Sequence, residues 1–154
     1  MSQNHVIDPT YFYDAIEQFA FDYDWYVVND TGLDDLGRRV YKFEKNIIRG
    51  SLQPASGSLN LSTSGNTLNL EYNFYCKSLY RIKDGDFIFY KNRFLHCDGW
   101  HDYDEWGVRE AHLKMVNLND YHDFKEYLSY LNGGTLVWFL RLLMKILFEN
   151  CGLN

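Results

Sequence analysis

The chain has 154 residues, a length typical of one domain that buries a sizeable core without disulfides. Its composition, 46% hydrophobic and 18% aromatic, excludes an intrinsically disordered chain. The formal net charge of −6 at pH 7 disfavours nucleic acid as a partner, because phosphates repel an acidic surface. We therefore predict a single domain over residues 1–154.

The first predicted element is a helix over residues 9–22. Asp8 can cap it, and Pro9 fits a first turn where no backbone donor is needed. Apolar side chains recur at helical spacing and predict one buried face: Tyr11, Phe12, Ala15, Ile16, Phe19 and Ala20. Polar or half-polar residues fill the opposite face: Tyr13, Asp14, Glu17 and Gln18.

Alternating residues then predict a series of β-strands. Residues 25–30 and 38–45 are predicted as a short strand and an exposed or edge strand, and 108–116 as a later strand. Turn residues between alternating runs predict hairpins at 63–66, 84–85 and 91–92, which would make residues 67–98 an antiparallel meander. The strand after the first turn has one apolar face: Leu68, Leu70, Tyr72, Phe74 and Cys76.

Two helices are predicted to close the chain. Asn119 can cap the first, which ends near Gly133, and Thr135 can cap the second, which ends at Gly152. The second is apolar nearly all round, so it is buried in the core or pairs two copies through residues 136–150. The predicted fold is α+β, with an antiparallel sheet of about five to seven strands that carries the N-terminal helix and both C-terminal helices on one face.

The charge is unevenly spread along the chain. Residues 1–37 contain eight acidic residues and no Lys or Arg, and a basic run follows over 38–49. The acidic segment is either a surface that attracts a basic protein or one that only keeps the protein in solution. The basic run is expected to protect a sheet edge against aggregation.

Cysteine use and apolar runs indicate the compartment. The chain has three cysteines, Cys76, Cys97 and Cys151, without a CxxC pair, and its first residues resemble no signal peptide. The longest apolar run, 136–148, contains Arg141 and Lys145 and is too short to span a bilayer. We expect a cytoplasmic protein with free thiols and no membrane partner.

The segment RFLHCDGWHDYDEW, residues 93–106, concentrates side chains that can bind metals or take part in catalysis. His96, Cys97, Asp98 and His101 are ligand types, and His112 could join them from the next strand. However, His96 and Cys97 would point to opposite faces of a strand, and no second ligand pair is present. We expect no metal and no cofactor.

Two catalytic interpretations of the same segment are also weak. Cys97 would need a base within hydrogen-bond reach, and the adjacent His96 is badly placed on a strand. Paired carboxylates would need one acid held dry, whereas acids on a loop are usually solvated; the acids here are Asp98, Asp102, Asp104 and Glu105.

The interpretation that we favour is a strand that ends at Cys97, followed by a recognition loop. Trp and Tyr are enriched at interface hot spots, and acids steer a basic partner. The alternative is that both tryptophans are core residues. The predicted partner-binding residues are Asp98, Trp100, Asp102, Tyr103, Asp104, Glu105 and Trp106, together with Asp34 and Asp35.

These observations predict a small acidic protein-binding protein rather than an enzyme. An inhibitor or neutraliser of immunity type or phage anti-defence type, which covers a basic surface of its partner, fits the composition best. The alternatives are a metal-dependent or Cys/His enzyme that uses the 96–112 cluster, and a dimeric chaperone-like adaptor.

Overall fold

The computed structural model describes residues 9–55 and 70–133. Its contacts group the chain into two compact units. The first unit consists of Met1–Asn29 and Phe43–Asn117, and the second of Asp30–Lys42 and Leu118–Asn154. The single domain stays a prediction.

Six antiparallel strands form a closed barrel in the order β1-β2-β3-β6-β5-β4. The strands are β1 (Phe21–Leu33), β2 (Arg39–Pro54), β3 (Glu71–Lys77), β4 (Phe87–Tyr90), β5 (Arg93–Tyr103) and β6 (Val108–Met115). Helix α1 (Pro9–Glu17) precedes them, and helix α2, described over residues 122–133, follows them. The mixed fold and the strand number agree with the sequence, whereas closure of the sheet was not predicted.

The core lies inside the barrel and follows the alternation of the strands. Inward-facing side chains exclude water almost completely because every second residue points into the barrel. The buried cluster comprises Trp25, Ile48, Phe74, Cys76, Ile82, Ile88, Leu95, Cys97, Ala111 and Leu113.

Local patterns predicted two strands and one hairpin correctly. β3 buries Phe74 and Cys76 as its alternation indicates, and β6 occupies 108–115 as predicted. The hairpin between β4 and β5 turns at Lys91 and Asn92, whose φ values of 46° and 61° are those of a type I′ turn.

The meander predicted over residues 67–98 is wrong. β3 pairs with β2 and β6, and β4 pairs with β1 and β5. Residues Ser78–Tyr80 form a 3-10 turn instead of a strand. After this turn Ile82 is fully buried in the core, and Tyr80 packs edge-on against Trp25 with ring centroids 6.4 Å apart.

The first helix is shorter than the predicted 9–22. It ends at Glu17, and β1 begins at Phe21, because Tyr23 and Trp25 pack in the barrel with a period of two. Tyr13, which we assigned to the polar face, is partly buried and its hydroxyl donates to Gly107 O.

The loop conformation predicted directly after Cys97 is also wrong, whereas the recognition role of these residues stays a prediction. β5 continues to Tyr103 and pairs with β6 as far as Val108. A register shift between Cys97 and Gly99 keeps the strand paired past the polar residues, and only Asp104–Trp106 form a 3-10 turn.

The C-terminal helix is confirmed in part. A 3-10 turn, Leu118–Asp120, precedes α2, and Phe124 of α2 is buried. The second predicted C-terminal helix and the first half of the predicted 63–66 hairpin lie outside the described residues. No helix in the described part of the chain is long and apolar enough to cross a membrane.

The barrel closes where β1 meets β4, and Asp86 supports this seam. The pairing comprises Trp25 with Ile88 and Tyr26 with Phe87. The Asp86 carboxylate is fully buried and accepts hydrogen bonds from Trp25 Nε1 (3.0 Å), Val28 N (2.9 Å) and Lys83 N (3.1 Å). It therefore extends the seam beyond its backbone pairs.

We expect Asp86→Ala to lower the free energy of unfolding by about 3 kcal/mol, because three donors lose their buried acceptor. Urea unfolding followed by tryptophan fluorescence measures the change. Asp84→Ala, at an exposed position two residues away, is the control and should shift stability by less than about 0.5 kcal/mol. Equal effects of the two variants would contradict the role of Asp86.

Candidate functional site

The predicted partner-binding residues fall on three parts of the structure. Asp98, Trp100, Asp102 and Tyr103 lie on β5. Asp104, Glu105 and Trp106 form the 3-10 turn between β5 and β6. Asp34 and Asp35 belong to the turn between β1 and β2, which is part of the other compact unit.

Asp102 and Trp100 hold a buried arginine rather than facing solvent freely. Arg109, opposite Asp102 on β6, is 5% exposed. Its Nε and Nη2 donate to the two carboxylate oxygens of Asp102 at 2.5 and 2.6 Å, and its Nη1 donates to Ile82 O at 2.7 Å. The guanidinium carbon lies 4.0 Å from the ring centroid of Trp100, so the arginine is paired, satisfied and stacked.

The electrostatics follow from this geometry. Hydrogen bonds from Arg109 lower the pKa of Asp102, against a smaller opposing effect of burial. The same pairing raises the pKa of Arg109. Asp102 is therefore a charged structural partner and has no dry environment that would make it a general acid.

Tyr103 takes part in a second network on the outer face of the sheet. Its hydroxyl donates to Glu110 Oε2 at 2.9 Å, and the hydroxyl of Tyr75 on β3 donates to Glu110 Oε1 at 2.9 Å. The His101 ring packs edge-on against Tyr103, with centroids 4.7 Å apart. These contacts fix the tyrosine and occupy its polar atom.

Trp106 is half-buried beneath the N-terminal helix. Its ring lies 5.1 Å from the Phe12 ring and stacks on Tyr103 at 5.9 Å. Beside it, the Tyr13 hydroxyl donates to Gly107 O, and Lys77 Nζ lies 5.6 Å from the Tyr13 ring centroid. The indole of Trp106 thus serves mainly to hold α1 in place.

Four of the predicted residues on β5 and its turn remain exposed. Asp98, Asp104 and Glu105 are exposed acids, and Trp100 is 44% exposed. They are three exposed carboxylates and one exposed indole distributed along β5 and the turn that follows it.

The histidines and cysteines do not converge. In the described ranges, no group of three His, Cys, Asp or Glu side chains is arranged to hold a metal ion. His101 lies opposite Glu110, whereas His112 lies opposite Gly99 and is 3.1 Å from Asn73 Oδ1. His96 packs against Phe87 with ring centroids 5.0 Å apart.

Both described cysteines are buried free thiols. Burial raises the pKa of Cys76 and of Cys97 to about 12, and the Cys97 thiol donates to Gly99 O at 3.4 Å. A buried thiol with so high a pKa has almost no thiolate at neutral pH and does not suit nucleophilic catalysis.

Asp34 organises the turn of the β1–β2 hairpin. One carboxylate oxygen accepts from Leu36 N and Arg38 N at 2.9 and 2.8 Å, and the other accepts from Arg38 Nε at 2.8 Å. The backbone hydrogen bond from Arg38 is the main cause that lowers the pKa of Asp34. Asp35 is exposed.

The acidic segment and the basic run lie side by side, since β1 and β2 are antiparallel neighbours. Most acids of residues 9–37 therefore have a basic partner within 4 Å. The ion pairs are Asp34–Arg38, Asp30–Arg39, Asp24–Lys45, Glu17–Arg49 and Asp22–Arg49. The acidic field expected from the sequence is thus largely neutralised at this surface.

The sequence did not indicate the exposed apolar residues of the same hairpin. We define the hairpin tip as residues 30–42. Its large apolar side chains are exposed to 68% at Leu33, 77% at Leu36, 36% at Val40 and 38% at Tyr41. The sequence did predict an exposed strand over 38–45, but alternation alone does not show which side of such a strand faces water.

Comparison with known proteins gives no assignment. No protein-family model matches the chain, and no curated protein matches it.

We expect Asp102→Asn to lower the free energy of unfolding by about 2 kcal/mol at pH 7, because Arg109 stays buried without its counter-charge. The pKa of Asp102 is lowered in the folded protein, so its contribution is complete above the ordinary value of 3.8. It is lost as the pH falls through the lowered pKa.

The difference between wild type and Asp102→Asn should therefore shrink between pH 7 and about pH 2 in denaturant titrations. Asp98→Asn, an exposed acid of the same strand, is the control with a small effect at both pH values. A loss that is independent of pH would contradict the ion-pair role of Asp102.

Proposed function

We propose that this chain is a protein-binding protein whose hairpin tip makes the main contact with its partner. The observation that carries the proposal is the exposure of Leu33 and Leu36, at 68% and 77%, beside Val40 and Tyr41 on one short hairpin. Exposed apolar side chains grouped in this way are typical of protein interaction sites.

The hairpin tip is also held in a defined conformation. Asp34 fixes the turn, and Thr31 Oγ1 donates to Val40 O at 2.7 Å. Salt bridges of Asp34 with Arg38 and of Asp30 with Arg39 pair its charges. A pre-organised apolar element loses little conformational entropy on binding, which favours affinity.

We further propose that binding inhibits or neutralises the partner in the cytoplasm, as an immunity or anti-defence protein would. The buried free thiols Cys76 and Cys97 support a reducing compartment. The exposed acids Asp98, Asp104 and Glu105, with Trp100 among them, support a partner that has a basic surface.

Affinity capture from the native host, followed by mass spectrometry, tests the contact. We expect the double variant Leu36→Ser/Val40→Ser to lose the protein that the wild type retains, because two apolar contacts are removed. Its melting temperature should stay within about 2 °C of the wild type, since both side chains are exposed.

The matched control is Leu79→Ser, which removes an apolar side chain that is 70% exposed on the first compact unit. This variant should retain the partner. Equal capture by all three proteins would contradict the proposed contact, and a partner that keeps its full activity when bound would contradict the inhibitory role.

The acidic surface makes a separate prediction. Asp98→Asn/Asp104→Asn/Glu105→Gln should slow association with the purified partner by about tenfold at low salt and much less at high salt, because long-range attraction is screened. Surface plasmon resonance at several salt concentrations measures this. Association that does not depend on salt would contradict a basic partner surface at these residues.

A further inference from the structure

One end of the barrel opens into a cleft. The cleft lies where β1 begins and where β2 and β4 end, which is the same end of an antiparallel barrel with this strand order. Its lining residues all belong to the first compact unit: Phe19, Phe21, Tyr23, Ser51, Leu52, Gln53, Pro54 and Tyr90. Barrel mouths are frequent positions for small-molecule sites.

Tyrosine rings form the floor of the cleft. Tyr23 contacts Phe74 of the core and Tyr90, with ring centroids 5.7 and 6.0 Å apart, and Tyr72 supports Tyr90 at 5.9 Å. Tyr23, Tyr72 and Tyr90 are only partly buried, whereas Phe74 beneath them is fully buried. The core thus ends in a ring layer that presents aromatic surface to the cleft.

The walls that the described residues form are mostly apolar, and none of these residues carries a formal charge. Phe19 and Phe21 stand at the opening with 63% and 66% of their surface exposed, opposite Leu52 and Pro54 of β2. The cleft measures about 710 Å³, within the usual range for ligand pockets of roughly 300–1,000 Å³. Two exposed phenyl rings beside a cleft of this size supply apolar surface for a ligand to bury.

Cationic side chains lie beside the floor. Lys91 Nζ is 5.2 Å from the ring centroid of Tyr90. Arg93 is paired with Tyr90 across the β4–β5 hairpin and contacts the sulfur of Met115 at 3.3 Å. Lys91 and Arg93 are both exposed. An apolar cleft with positive charges at its edge is complementary to a molecule that has an apolar body and one acidic group.

We propose that the barrel mouth binds a monomeric anionic amphiphile, whose apolar body lies against Phe19, Phe21 and Leu52 and whose acidic group faces Lys91 and Arg93. None of the described residues that line this site belongs to the hairpin tip, and the proposal does not depend on the proposed protein contact.

Titration calorimetry with dodecanoate below its micellar concentration tests the proposal, with dodecanol as the uncharged probe. We expect binding of one dodecanoate per chain, and at least tenfold weaker binding of dodecanol. Phe19→Ser/Phe21→Ser should weaken dodecanoate binding about tenfold without a change in melting temperature, because both rings are exposed. Arg93→Gln should lower the affinity for dodecanoate towards the affinity for dodecanol.

Two variants serve as matched controls. Leu79→Ser removes an exposed apolar side chain that does not line the cleft, and Lys83→Gln removes an exposed positive charge of another loop. Both should bind dodecanoate as the wild type does.

Three results with dodecanoate and dodecanol would overturn the proposal. They are the absence of dodecanoate binding, equal binding by the Phe19→Ser/Phe21→Ser variant, and equal affinity for dodecanol. Sedimentation of the protein with phosphatidylglycerol vesicles, without uptake of monomeric dodecanoate, would assign the cleft to a lipid surface and would also overturn it.

Discussion

The barrel depends on the seam between β1 and β4, which a buried carboxylate extends beyond the paired backbone. β4 has four residues, and its register with β1 pairs Trp25 with Ile88 and Tyr26 with Phe87. Asp86 continues the seam by accepting from the Trp25 indole and from two backbone amides. Closure pairs the backbone groups at the strand edges that an open sheet would expose. The enclosed interior in which the core side chains pack therefore depends on this contact.

Local sequence patterns predicted elements better than they predicted their partners. Alternation identified β3 and β6, and the turn at Lys91–Asn92 identified the β4–β5 hairpin, because these signals depend on neighbouring residues. The pairing of β3 with β6 joins residues that are 31 to 43 positions apart, and nothing in the alternation of either strand encodes it. For the same reason the sequence indicated a sheet and not its closure.

The candidate site shows what tertiary structure does to a sequence motif. Aromatic and acidic residues of 98–106 suggested a loop that meets a partner, but Asp102 pairs with Arg109, Tyr103 donates to Glu110 and Trp106 packs on Phe12. The acidic and basic segments, which are separate along the sequence, are likewise paired in the fold, because antiparallel β1 and β2 place acids beside bases. Exposure of Leu33 and Leu36 could be seen only once the hairpin was built.

The two buried thiols give the barrel an internal reporter of its own opening. Cys76 and Cys97 lie on β3 and β5, on either side of β6, and both are shielded inside the barrel. An alkylating reagent reaches them only in molecules whose strands have separated, because burial blocks access and suppresses the thiolate. The rate at which Cys76 and Cys97 are alkylated in native buffer, read by peptide mass spectrometry so that Cys151 is scored separately, thus measures how often these strands part, without denaturant.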